Sequence, residues 1–194
     1  MEKQSVFNDK TIVGSPTVHL VSMFILLFIF WMILSGRSET KFIVYGVLTA
    51  AVTSWITYPL LLVNNKDKTK KYFVFGVNPI KLLSYFCWGM WQLILSNIDV
   101  LLATTSQEMA IDPKIVRFYY RNDNPMAIVM LANSITLTPG TVTINVEDDG
   151  LFEIHALTKA AAEGVMNDTT AQKVSYLFDS ECDYELVGIV EEDV

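Results

Sequence analysis

Three long hydrophobic runs, at residues 18–35, 42–63 and 82–104, dominate the first half of the 194-residue chain. Each run comes close to, or exceeds, the ~20 residues with which a helix crosses a ~30 Å hydrocarbon core. Because lipid offers no hydrogen-bond partners to the backbone, helix is the expected state of such runs. Only residues 37–41 (RSETK) separate the first two runs, so we expect these two helices to form an antiparallel hairpin.

The third run differs from the other two because polar residues recur along it. Lys81, Ser84, Gln92, Ser96 and Asp99 follow one another at spacings of 3, 8, 4 and 3, which keeps them on one face of a helix. The opposite face is apolar and aromatic. Such a helix either lies at the membrane surface or crosses the membrane with its polar stripe against protein. We expect Asp99 to lie at the helix end, facing headgroups or a partner, rather than to relay protons.

Lysine is concentrated in residues 64–71 (NNKDKTKK), which hold four lysines and one aspartate. Cytoplasmic loops of membrane proteins are enriched in Lys and Arg, so we expect this loop in the cytoplasm. If the third run crossed the membrane, everything after it would then lie outside. We therefore favour a two-span hairpin with an interfacial or partly inserted third helix, which keeps residues 105–194 in the cytoplasm.

After residue 104 the long hydrophobic runs give way to short alternating segments. The pattern predicts strands at residues 114–121, 141–146 and 151–157, a helix at 126–135, and a helical stretch from 159 to about 187 that Gly164 and Asn167 interrupt. The order β-α-β-β-α indicates a small α+β domain at residues 105–194. The chain is thus predicted to contain an N-terminal extension (1–17), two to three membrane helices (18–104) and this domain.

Charge divides the chain at the same place. Residues 1–104 carry nine basic and five acidic groups, a net charge of +4, whereas residues 105–194 carry five basic and sixteen acidic groups, a net charge of −11. This asymmetry is typical of a membrane anchor followed by a water-soluble domain. We expect no nucleic-acid partner. Cys87 and Cys182 fall in different regions without neighbouring metal ligands, which indicates two unpaired thiols in a reducing compartment and neither a metal site nor a cofactor.

A hydroxyl-rich segment at residues 132–141 (ANSITLTPGT), here called the signature segment, ends in a predicted turn. It contains Asn133, Ser134, Thr136, Thr138, Pro139, Gly140 and Thr141. As a catalytic loop it would need a base or a metal, and His155 is the only histidine in this half of the chain. We expect instead a turn that sets the register of the sheet, with its hydroxyls bonded to the backbone. Gly140 precedes a strand, where φ > 0 is often required.

The signature segment resembles that of the E-type family of proteins from Mrp-type Na+/H+ antiporters. Three further segments agree with the family in order and spacing: residues 31–36 (WMILSG), residues 96–100 (SNIDV), which contain Asn97 and Asp99, and residues 154–157 (IHAL), which contain His155. The resemblance implies a bacterial plasma-membrane complex in which larger subunits carry the ion pathways. It implies that a member of this family is a small multi-pass protein with a cytoplasmic tail and no chemistry of its own.

The expected function is therefore that of a non-catalytic accessory subunit, whose partners are the other antiporter subunits and the lipid bilayer. It would support assembly or stability of a complex that exchanges Na+ for protons. An independent membrane-tethered sensor or ligand-binding module fits the composition equally well. A transporter acting alone is disfavoured for two reasons. The hydrophobic runs contain few ionisable groups, and the chain has too few predicted membrane spans.

Overall fold

The computed structural model describes residues 11–12, 16–65, 70–74, 76–105 and 111–191. The chain divides into two compact units, Met1–Gly76 and Val77–Val194. Most of the predicted N-terminal extension, residues 1–17, lies outside the described residues. The predicted third membrane helix falls in the second unit, together with the α+β domain.

The first unit is built around a pair of apolar helices. Helix α1 (Pro16–Ser35) and helix α2 (Thr40–Thr57) pack against each other, as the short link between them predicts. The second helix was predicted to continue to residue 63, and this was wrong. It ends at Thr57 and passes into a 3-10 turn at Tyr58–Leu61, since Pro59 cannot donate the backbone hydrogen bond that a continuing α-helix requires.

A small sheet that the sequence did not predict completes this unit. Strand β3 (Lys70–Phe73) pairs in parallel with β1 (Thr11–Ile12) and antiparallel with β2 (Leu62–Asn64). The Phe73 ring stacks on His19, with 4.5 Å between ring centroids. His19 is therefore half-buried against an aromatic ring.

The two apolar helices approach closely at a glycine. A Cβ atom on Gly46 would lie only 2.5 Å from Cδ1 of Trp31, so any larger residue would collide with that ring. Gly46, Ala50 and Ser54 recur every four residues and form the buried stripe of α2. The Trp31 indole also donates to the Phe42 carbonyl across the helix pair, at 3.1 Å. Small residues at such a contact let helix backbones pack closely, which is how apolar helices associate in lipid.

The second unit contains one long helix followed by an α+β domain. Its elements are α3 (Pro79–Thr105), β4 (Lys114–Arg121), α4 (Pro125–Leu137), β5 (Thr141–Val146), β6 (Leu151–Ala156), α5 (Lys159–Met166), α6 (Thr169–Leu177) and β7 (Asp183–Glu191). The four strands form an antiparallel sheet in the order β5-β6-β4-β7. The predicted α+β domain is therefore present, with the predicted β-α-β-β-α order followed by an additional helix and strand.

The helical stretch predicted to reach residue 187 was wrong beyond Leu177. Asp179 adopts a left-handed conformation with φ of 52° and ends the helical region, and β7 then pairs with β4 along its length. Without β7, the second edge of β4 would have no backbone partner. Asn167 separates α5 from α6, as predicted, and its side chain accepts a hydrogen bond from the Thr169 backbone at 3.0 Å. Gly164, by contrast, lies inside α5 without interrupting it.

The hydrophobic core lies between one face of the sheet and the helices α4, α5 and α6. Alternate residues of β4 and β6 face this core and are fully buried, and they meet helix residues spaced four apart in α4. The Phe118 and Phe152 rings stack with centroids 5.0 Å apart. The buried residues of these elements are Val116, Phe118, Tyr120, Ala127, Leu131, Ile135, Phe152, Ile154, Ala156, Ala162, Ala171 and Val174. Strand β4 contributes three of these buried residues and is paired with a strand on each side, so it lies at the centre of the domain.

Candidate functional site: the cleft beneath helix α3

Helix α3 is anchored at its start to the end of α6. The Lys81 ammonium pairs with the Asp179 carboxylate, donates to the Tyr176 carbonyl at 3.3 Å and lies 4.5 Å from the centroid of the Tyr176 ring. The last carbonyls of a helix carry partial negative charge, so a lysine at this position is favourable. Lys81, the first member of the polar stripe, is thus bound by the domain.

One turn further along, Tyr85 connects α3 to α4. Its hydroxyl lies 2.5 Å from the Ser134 hydroxyl, which in turn donates to the Met130 carbonyl at 2.7 Å. Because the Ser134 proton is used in that second bond, Tyr85 is the donor in the first. The Tyr85 ring also packs against the domain core. Sequence reasoning missed Tyr85, although its position four residues after Lys81 on the same helical face was a usable signal.

The other end of α3 meets the turn of the signature segment. A Cβ atom on Gly140 would lie 3.3 Å from Cγ2 of Val100 and 3.6 Å from Cβ of Ala161. Gly140 has φ of 89°, the left-handed conformation predicted from its position, so both backbone geometry and space favour glycine here. Its carbonyl accepts a hydrogen bond of 2.8 Å from the Leu157 backbone, which ties the turn to the end of β6.

The hydroxyls of the signature segment are bonded to the backbone, as the sequence predicted. Thr138 donates to the Ser134 carbonyl at 2.9 Å, and Thr141 donates to the carbonyls of Ile135 and Thr138 at 2.6 and 3.0 Å. The Thr136 hydroxyl accepts from the Thr143 backbone at 3.2 Å. The bonds to the Ser134 and Ile135 carbonyls provide partners for two of the last four carbonyls of α4, which lack the usual donor within the helix. The segment therefore fixes the passage from α4 to β5.

Between α3 and the helices of the domain lies a cleft of about 470 Å³. Asp99, Gln92 and Ser96 face it from α3, so part of the predicted polar stripe points toward the domain. The signature residues that line it are Asn133, Ser134, Thr138, Pro139 and Thr141. The rest of the lining is mainly apolar, and includes Leu93, Met130 and Val165. Such a cleft suits an apolar group with a few polar contacts.

Four of the predicted site residues, Asn97, Thr136, Gly140 and His155, do not line the cleft. Asn97 is exposed on α3, and its side chain donates to the Leu93 carbonyl of its own helix at 2.6 Å. His155 lies in β6 opposite Ile115 and Val142, on the sheet face turned away from the helices. Thr136 is bonded to β5 instead. The structure thus brings Asp99 to the signature segment and leaves His155 on the other side of the sheet.

Tyr184 closes the cleft from strand β7. Its hydroxyl donates to the carbonyls of Val165 and Met166, at 3.2 and 3.1 Å, where α5 ends. Burial, together with the nearby negative charges of Asp168 and Cys182, raises the pKa of Tyr184 to about 12. The hydroxyl therefore stays protonated and serves as a hydrogen-bond donor at neutral pH.

The described part of the chain offers no metal centre, since nowhere in it do three or more His, Cys, Asp or Glu side chains come together. Cys87 and Cys182 are both exposed free thiols. The residues described above provide hydrogen bonds and apolar packing at the cleft, and Asp99 adds a carboxylate.

The chain is similar to known antiporter proteins. The family model described as Na+/H+ ion antiporter subunit matches residues 24–176. The E-type protein of the Na+/H+ antiporter of Alkalihalophilus pseudofirmus is 37% identical over 90 residues, which cover 46% of this chain and 55% of that protein. The E1-type protein of a Staphylococcus aureus Na+/H+ antiporter is 29% identical over 147 residues, covering 75% of this chain and 86% of that protein.

A solved structure shares the fold. A chain of the membrane-bound sulfane sulfur reductase, an archaeal respiratory membrane complex, superposes with a TM-score of 0.63 at 24% identity, covering 82% of this chain and 99% of that one. Two helices here, Thr40–Leu61 and Pro79–Thr105, are long and apolar enough to cross a membrane. The similarity to antiporter subunits, together with these two apolar helices, identifies the chain as a membrane protein. Because the family model covers most of the sequence, the chain belongs to the Na+/H+ ion antiporter subunit family.

Proposed function

We propose that the chain is a non-catalytic accessory subunit of a multisubunit monovalent cation/proton antiporter. In this role it supports assembly or stability of the complex that exchanges Na+ for protons. The observation that carries the proposal is the bonding of the signature segment, where Ser134, Thr138 and Thr141 donate to backbone carbonyls. Hydroxyls engaged in this way stabilise a fold, whereas a nucleophilic hydroxyl needs a base within reach.

The partners are the other subunits of the antiporter and the lipid bilayer. The curated relatives are E-type and E1-type components of Na+/H+ antiporters, which supports the same assignment here. We place the chain in a bacterial plasma membrane, with residues 64–71 and the α+β domain in the cytoplasm. The four lysines of that loop support this orientation.

Co-purification tests the accessory role. An affinity-tagged chain, isolated from its native membranes in mild detergent, is expected to bring large multi-spanning subunits with it in fixed proportion. Recovery of the chain alone under conditions that keep other membrane complexes intact would contradict the proposal. In liposomes under a pH gradient, the purified chain alone is expected to give no Na+- or K+-dependent proton flux, with the intact complex as the positive control.

Cysteine labelling tests the orientation. In a chain carrying Cys87→Ser and Cys182→Ser, a single cysteine at Lys68 or at the exposed residue Glu147 should resist membrane-impermeant thiol reagents in whole cells. Both should react after the membrane is opened. Ready labelling from outside at either position would show that the corresponding segment is not cytoplasmic.

The cleft supports a second candidate function, a membrane-tethered sensor or ligand-binding module. A space of about 470 Å³ with mainly apolar walls is large enough for a small molecule. Mass spectrometry of the chain released from native membranes distinguishes the two functions. If the chain were recovered without other subunits and with a small molecule bound, the result would favour the sensor.

A further inference from the structure

The outer face of α3 is apolar along its length. Between Lys81 and Asp99 the sequence contains no charged residue. Large hydrophobic side chains recur every three or four residues and are exposed, with Phe86 and Met90 on the border between this face and the cleft: Leu83, Phe86, Met90, Ile94, Ile98 and Leu101. Soluble proteins rarely leave so continuous an apolar surface in water.

The inner face of the same helix is attached to the α+β domain near both ends, on either side of the cleft. Lys81 and Tyr85 bond to the domain near the start of α3, and Val100 adjoins the Gly140 turn near its end. Lys81 and Val100 are 19 positions apart, which corresponds to about 28 Å of helix. The helix therefore lies along the domain rather than projecting from it.

This contact conflicts with a membrane-crossing position for α3. Residues 111–191 carry thirteen acidic and five basic groups, so they cannot enter the hydrocarbon core without a large energetic penalty. A crossing α3 would have to take the domain with it, or break the bonds at Lys81 and Tyr85 and the apolar contact at Val100. A helix that lies flat keeps the domain in water and its own outer face in lipid.

We propose that α3 lies in the plane of the membrane interface, with its outer apolar face against lipid and its inner face against the α+β domain. Lipid is the occupant that fits because the chain is a membrane protein and this face is uncharged and rich in aliphatic and aromatic residues, including Trp91. Among the helices that the structure describes, α1 and α2 are then the ones that cross the membrane.

Depth measurement by spin labelling tests this proposal. Single cysteines at Leu83, Met90, Ile94 and Leu101 are introduced into the full chain carrying Cys87→Ser and Cys182→Ser, labelled with a nitroxide and reconstituted into phosphatidylethanolamine–phosphatidylglycerol vesicles. Relative accessibility to oxygen and to a water-soluble nickel complex gives the depth of each label. Ile43, Leu48 and Ile56, all exposed on α2, are the matched controls for a spanning helix.

For α3 we expect four similar depths, within about 5 Å of one another and close to the level where headgroups meet acyl chains. On α2, Leu48 should be deeper than Ile43 and Ile56. If α3 crossed the membrane, Met90 and Ile94 would lie about 10 Å deeper than the flanking labels, and the proposal would be wrong.

Two further outcomes would also overturn it. Labels reached by the nickel complex alone would place the face in water, and labels shielded from both reagents would show that protein covers it. The measurement uses the chain without other subunits, so its result is separate from the co-purification test of the accessory role.

Discussion

The hydroxyls of Tyr85 and Ser134 lie 2.5 Å apart and join helix α3 to the signature segment. This bond links helix α3 to helix α4, in which Ser134 lies. Replacing Tyr85 with phenylalanine should reduce the free energy of unfolding by about 0.5–1.5 kcal/mol, because one hydrogen bond is lost while Ser134 keeps its bond to Met130.

Urea unfolding of the purified chain in detergent, followed by circular dichroism, measures this change. Tyr45→Phe, on the exposed surface of α2, is the control and should have little effect. A cycle with Ser134→Ala isolates the pair, and the double variant should be less destabilised than the sum of the two single variants. Additive effects would mean that the two hydroxyls do not stabilise each other.

Gly140→Val should destabilise the domain by about 1–3 kcal/mol. The residue has φ of 89°, which is strained for a branched side chain, and the new Cβ would crowd Val100. Gly164→Ala in α5 is the matched control, since a Cβ there meets open space and alanine is a better helix former. Unfolding free energy and the yield of assembled complex should fall for Gly140→Val alone.

Transport per assembled complex should be unchanged in the Gly140→Val variant. Total transport activity should fall in proportion to the yield of assembled complex, because the Gly140 turn affects folding. Normal yield with collapsed transport per complex would mean that the signature segment acts on the ion pathway or its coupling.

Thr141→Val should cost about 1 kcal/mol of stability. Its hydroxyl donates to the Ile135 and Thr138 carbonyls at the end of α4, each of which also accepts from one backbone N–H group. Thr104→Val is the control, because the Thr104 hydroxyl donates to the Val100 and Leu101 carbonyls of its own helix. Equal effects of the two changes on the thermal midpoint would argue against a capping role for Thr141.

Gly46→Ala should weaken the packing of α1 against α2. The added methyl group would overlap the Trp31 ring, with an expected penalty of about 1–3 kcal/mol. Gly89→Ala adds the same methyl group to a helix where nothing lies within 4 Å. The amount of chain recovered from membranes, measured by immunoblot, should fall for Gly46→Ala and stay unchanged for Gly89→Ala.

Sequence patterns predicted the parts of this fold that local chemistry determines. The N-terminus of α4 is one, because Asn124 accepts from the Met126 backbone and Pro125 occupies the first turn. The bonding of Thr138 and Thr141 is another. Strand β7 could not be predicted in the same way, because its place depends on the unpaired edge of β4, far away in sequence. Propensity alone does not register such long-range pairing.

The contacts of the cleft could not be predicted from the sequence for a related reason. Asp99 was expected to face headgroups or a partner, and only the packing of α3 on the domain shows that it lines the cleft near Asn133 and Thr138. Ser84 was grouped with the polar stripe, yet it is exposed, because the face that meets the domain is centred on Tyr85. A tyrosine carries both an apolar ring and a hydroxyl, so a simple division into polar and apolar positions overlooks it.

Alkaline pH should unfold the domain partly through Tyr184. Its pKa of about 12 in the folded state lies above the ordinary value near 10, so the folded state keeps a proton that the unfolded state loses. The stability that this provides is complete below pH 10 and is lost as the pH rises toward 12. Tyr184→Phe should flatten the decline over this range while lowering stability at pH 8, where its bonds to Val165 and Met166 are missing. Thermal midpoints at pH 8, 10 and 11, with Tyr45→Phe as the control, measure both effects, and an unchanged slope would contradict them.

The strand order β5-β6-β4-β7 also determines when each strand finds its partners during synthesis of the chain. Strand β4 lies between two neighbours that are both translated later, and β7 emerges well after β6. Until then, one edge of β4 has no partner, and a chain interrupted before Asp183 would present that edge to other polypeptides. Helix α3 precedes all of these strands in the sequence, so it is synthesised before the surface that will cover its inner side exists.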